Sequence, residues 1–109
     1  MRRADLDEAA RLHALDQVRM NKLSHFGTNG SQITNRLAHI PWINAGENLA
    51  RNKGFNDPSG EAIRGWLASP SHRSIMLSTD FSYCGMAVVR DPETDFIYFV
   101  QVFINPGSF

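Results

Sequence analysis

Several features that would each point to a particular class of protein are scarce or missing. A single cysteine, Cys84, stands among 109 residues, so no intramolecular disulfide can form. The chain therefore carries no internal sign of an oxidising compartment. An excess of one charge is also lacking, since 11 basic and 11 acidic side chains give a formal net charge of zero. With no net positive field and no basic stripe, nothing draws in a polyanion, and no nucleic acid partner is expected. No apolar run nears the roughly 20 residues that cross a bilayer as a helix, so no membrane span is expected. No leader peptide is read either, because Met1-Arg2-Arg3-Ala4-Asp5 runs straight into a charged helix. Repeats and low-complexity tracts are absent, as are His-Glu-x-x-His and Gly-x-Ser-x-Gly motifs.

What remains is ordinary globular composition, with 42% hydrophobic and 20% charged residues. A chain of this size fits one domain, read over residues 5–106. Asp5 to about Lys22 reads as a helix with acids in its first turn, where the helix dipole favours them. Leu6, Ala9, Ala10, His13, Gln17 and Met20 share one face, and Leu12 and Leu15 widen it. Ser24 to Ser31 holds two glycines with Asn and Ser and reads as a loop. A short helix follows from about Gln32 to Ala38, ended by Pro41.

The segment Gly46-Glu47-Asn48-Leu49-Ala50 fits either a short strand or a helical turn. Ser59 is read as the cap of a helix over Gly60–Ala68, with Ala62, Ile63, Trp66 and Leu67 facing inward. Pro70 suits the first turn of a further helix ending near Leu77. Tyr83–Val89 and Phe96–Ile104 are rich in β-branched and aromatic residues, and Asp91–Asp95 between them is a turn signal. That pairing reads as an antiparallel hairpin, with Cys84 a buried small hydrophobe. Helices first and a hairpin last give an α+β class.

Five short motifs, in this order, resemble the CAP superfamily of cysteine-rich secretory, antigen 5 and pathogenesis-related proteins, in its bacterial SCP-like branch. They are Ser24-His25-Phe26 with Asn29-Gly30-Ser31 and Arg36; Ala45-Gly46-Glu47-Asn48-Leu49-Ala50; Trp66-Leu67-Ala68-Ser69-Pro70-Ser71-His72-Arg73; Tyr83-Cys84-Gly85-Met86-Ala87; and Val100-Gln101-Val102-Phe103. The resemblance implies an α-β-α sandwich around a small three-stranded antiparallel sheet, whose extra strand lies at Glu47–Arg51. It also implies a secreted or cell-envelope setting. One further amphipathic segment that usually comes first in the family is missing here.

By the same resemblance, a central cleft is built from His25, Glu47 and His72. Ser69 stands where many members have a second glutamate, and Gln101 is a supporting hydrogen bonder. Two imidazoles and a carboxylate suit a divalent metal such as zinc, held at His25 and His72, or acid–base work near neutral pH. Ser69 and Ser71 read as capping residues ahead of a helix and not as nucleophiles. His13 and His39 read as helix-face residues. Three functions follow. First is a binding module taking a small ligand (lipid, sterol or glycan), a divalent cation or another protein. Second is a structural envelope module. Third is a metal-assisted hydrolase or peptidase using His25 and His72.

Overall fold

The computed structural model describes residues 1–107. In chain order it contains α1 (Ala4–Met20), α2 (Ile33–Arg36), β1 (Asn44–Asn52), α3 (Pro58–Ala68), α4 (Pro70–Leu77), β2 (Tyr83–Arg90) and β3 (Ile97–Asn105). The three strands form one antiparallel sheet in the order β1-β3-β2. The undecided segment around Glu47 is thus a strand of nine residues, paired along its length with β3. It ends the sheet on one side.

Side chains alternate across this sheet and divide the interior into two layers. Val100, Val102 and Ile104 face α1, where they pack with Leu6, Ala9, Ala10, Ala14, Leu37 and Leu49. Phe99 and Ile97 face the other way, against Ala62 and Trp66 of α3, Met76 of α4 and Ala50. The result is the expected α-β-α sandwich.

Contact between α1 and β2 is backbone to backbone. A Cβ on Gly85 would lie 2.2 Å from the carbonyl carbon of Leu6 and 2.4 Å from the nitrogen of Asp7. Only glycine permits so close an approach. Asp7 Oδ1 then accepts from the Met86 N–H (2.9 Å), fixing the start of the helix to the strand.

Several details differ from the sequence-based expectation. Asp57, not Ser59, caps α3, its side chain accepting from the Gly60 N–H, and Pro58 takes the first helical position. Ile63 and Leu67 are exposed, and Ala62 and Trp66 are the residues of α3 that are buried. Leu12 is likewise exposed on α1. Cys84 is half-buried, since residues 1–3 only partly cover its strand, through Arg3 N–H to Cys84 O and Cys84 N–H to Met1 O.

Candidate functional site

The loop after α1 is placed by two side chains of that helix. His13 and Gln17 are one turn apart and share the buried face. Gln17 Oε1 accepts from the Ser24 N–H (3.1 Å), and His13 Nε2 donates to the Ser24 carbonyl (2.7 Å). Both backbone groups of Ser24 are thereby held, and His25 follows next in the chain. The carbonyl can only accept, so His13 carries its proton on Nε2. Burial pushes its pKa below the usual histidine value, and the nearby Glu47 charge restores it only in part. His13 is therefore a buried neutral group on the core face of α1, where helical spacing placed it.

Glu47 sits on the α1 face of β1, opposite Val102, with its side chain only 3% exposed. Its Oε1 accepts from His25 Nδ1 (2.9 Å) and its Oε2 pairs with Arg36 Nη2 (2.6 Å). Arg36 Nη1 also donates to the carbonyls of His25 (3.0 Å) and Ser31 (3.1 Å). Burial pushes the Glu47 carboxyl up, but the His25 bond and the Arg36 charge outweigh it, and the group stays below its ordinary pKa. Arg36 was legible in sequence only as part of a motif. Its role could have been inferred from the rule that a buried carboxylate needs a charged partner.

The next residue of β1 points the other way. Asn48 Nδ2 donates to the His72 carbonyl (3.1 Å) and to Gln101 Oε1 (3.3 Å). Ser69 is extended because Pro70 follows it, and this breaks α3 from α4. The Ser69 hydroxyl does not cap α4, contrary to expectation. It lies 2.8 Å from His72 Nδ1 instead. The five candidate residues thus fall into two hydrogen-bonded sets. His25 joins Glu47, while Ser69, His72 and Gln101 gather around Asn48.

Ser69 and His72 of the second set border a groove of about 420 Å³ along the outer side of β1. Leu49, Ala50, Ala62 and Trp66 form its apolar wall, and Ser69, His72 and Arg51 add polar groups. Trp66 Nε1 donates to the Leu49 carbonyl (2.9 Å), which fixes α3 against the strand. Leu23 and Phe55, both exposed, also line it.

A divalent cation fits Glu47 poorly. Both carboxylate oxygens are engaged, one by a guanidinium that repels cations. Among the described residues, no group of three or more His, Cys, Asp or Glu side chains is arranged to hold a metal ion.

The family model of the cysteine-rich secretory protein family, CAP, matches residues 2–103. The chain belongs to the CAP family. Its CAP domain is 33% identical over 100 residues to the "uncharacterized membrane protein YlbC" of Bacillus subtilis (strain 168), covering 90% of this chain and 26% of that protein. An extracellular protein containing a SCP domain, from Bacillus anthracis, superposes with a TM-score of 0.80 at 26% identity, over 95% of this chain and 33% of that one. An outer surface protein from Borrelia burgdorferi shares the fold, with a TM-score of 0.82 at 21% identity, over 95% of this chain and 75% of that one. The CAP domain described here spans about a quarter of the B. subtilis relative and a third of the B. anthracis chain. Among its described residues, no helix is long and apolar enough to cross a membrane.

Proposed function

We propose that this CAP domain is an extracytoplasmic binding module whose small ligand lies in the groove along β1. The groove carries this reading. Its volume of about 420 Å³ is that of a small-molecule site. Its wall is mostly apolar with a few polar groups to orient a ligand, which suits a molecule with an apolar body and a polar head, such as a lipid or sterol, over a free ion. The extracytoplasmic setting is supported by the relative from B. anthracis, an extracellular protein. Glu47 and His25 then serve as a latch that holds the loop 24–36 to the sheet.

Gly65 offers a direct test. It lines the groove, and a Cβ there meets nothing within 4 Å. Gly65→Leu places a large side chain in the groove while improving helix propensity by up to about 1 kcal/mol. Titration with a fatty acid, a sterol and a glycan fragment, followed by thermal shift, is expected to raise the melting temperature of the wild type for one of them. Gly65→Leu should abolish that rise without lowering its own melting temperature. Equal ligand shifts in both proteins would place the ligand elsewhere, and no shift with any class would remove the reading.

A further inference from the structure

We infer that Ser69 and His72 form a nucleophile–base pair that hydrolyses carboxylic esters whose acyl chain occupies the groove. The inference goes beyond binding, but it uses the same groove. Three observations carry it. The Ser69 hydroxyl is released from helix capping and lies 2.8 Å from His72 Nδ1, within reach for proton transfer. The backbone of His72 is anchored by Asn48, which is fully buried and bonded in turn to Gln101, so the base is held in place. Both residues border a groove whose apolar wall of Leu49, Ala50, Ala62 and Trp66 suits an acyl chain.

With its proton on Nε2, His72 accepts at Nδ1 from Ser69. The Ser69 Oγ attacks the ester carbonyl carbon, forming a C–O bond as its proton passes to Nδ1. The Ser71 and His72 N–H groups in the first turn of α4 receive no cap from Ser69 and are available to donate to the developing oxyanion. The departing alkoxide takes the Nδ1 proton as its C–O bond breaks, leaving an acyl group on Ser69. Water then attacks this acyl carbon and gives its proton to Nδ1. Ser69 Oγ leaves and recovers the proton, so one ester and one water yield one acid and one alcohol.

The test uses the purified chain with p-nitrophenyl acetate, butyrate and octanoate, and with an alkyl fluorophosphonate label mapped by mass spectrometry. The label should fall on Ser69. Ser69→Ala should lower ester turnover at least about 100-fold, or to the uncatalysed rate. His72→Gln should lower kcat and flatten its pH profile. Ser74→Ala, an exposed change on the same helix, should leave turnover within about twofold. Gly65→Leu should depress octanoate turnover more than acetate turnover. Labelling elsewhere, or equal turnover in wild type and Ser69→Ala, overturns the inference. If octanoic acid still raises the wild-type melting temperature in that case, the binding reading stands and only the chemistry is withdrawn.

Discussion

Replacing Glu47 by glutamine removes one charge from the α1 face of β1 and nearly nothing else in shape. The consequence follows from the partner left behind. The Arg36 side chain is only 12% exposed and its Nη2 sits 2.6 Å from Glu47 Oε2. Without the carboxylate, a guanidinium stays largely out of water with no counter-charge. Breaking a buried pair on one side costs about 3–5 kcal/mol. Exposed pairs contribute far less, about 0–1 kcal/mol. The Glu47–His25 contact is half of that second kind, since the His25 side chain is 59% exposed. At about 4 °C per kcal/mol for a domain of this size, Glu47→Gln should lower the melting temperature by roughly 12–20 °C. His25→Ala should lower it by no more than about 4 °C. The double change Glu47→Gln with Arg36→Met removes both charges and should recover part of the loss, because no unpaired charge remains. Calorimetry or circular dichroism on these four proteins and on the single variant Arg36→Met measures all of this. A fall under about 3 °C for Glu47→Gln, or a double variant less stable than the sum of the singles, would refute the assignment of Arg36 as the main partner.

Other outcomes follow from the same structure. Gly85→Ala forces a methyl group into the backbone of Leu6 and Asp7, and urea unfolding should show a loss of about 1–3 kcal/mol or more. Acid should weaken the fold in two stages. His13 has a lowered pKa in the folded chain, so its stabilising share is full above its unfolded value near 6.5 and is lost as pH falls below it. Glu47, also lowered, gives up its share further down, below its unfolded value near 4.5. Melting temperature against pH should therefore begin to fall as pH drops below about 6.5 in the wild type and stay flatter there in His13→Gln. Adding zinc in tenfold excess should shift the melting temperature by less than about 1 °C, because Glu47 is already bound on both oxygens. A larger rise would mean that the imidazoles find a cation without it.

The layered fold was legible where periodicity is strong. Leu6, Ala9, Ala10 and Gln17 repeat at helical spacing, and all four are buried against β2 and β3. The hairpin was equally clear, because β-branched runs flank a Pro- and Asp-rich turn. β1 was not legible from its residues alone. It buries Glu47, Asn48 and Asn52, so the usual alternation of apolar and polar residues is missing. Such polar burial is stable only because partners arrive from distant segments: Arg36 for Glu47, the His72 carbonyl for Asn48 and the Pro58 carbonyl for Asn52. Ile63 and Leu67 misled for the opposite reason. Helical spacing gives the face a residue occupies but not how much sheet lies beneath it, and α3 runs over the outer strand with little to cover its flank.

The two faces of β1 also explain why the candidate residues, grouped as one cleft in sequence, form two separate hydrogen-bonded sets in the structure. Neighbouring positions 47 and 48 point to opposite sides, so the side chains of Glu47 and Asn48 gather different hydrogen-bond partners. A latch on one face shapes the loop. On the other, Asn48 holds His72 at the border of a groove.

Chemical-shift mapping on the nitrogen-15-labelled chain, titrated with whichever ligand raises its melting temperature, puts this division to the most direct test. Shifts concentrated at Leu49–Asn52, the Trp66 indole and His72, with His25 and Arg36 unmoved, are the predicted result. Shifts centred on His25, Arg36 and Glu47 would contradict it, because the ligand would then be bound at the latch and not in the groove.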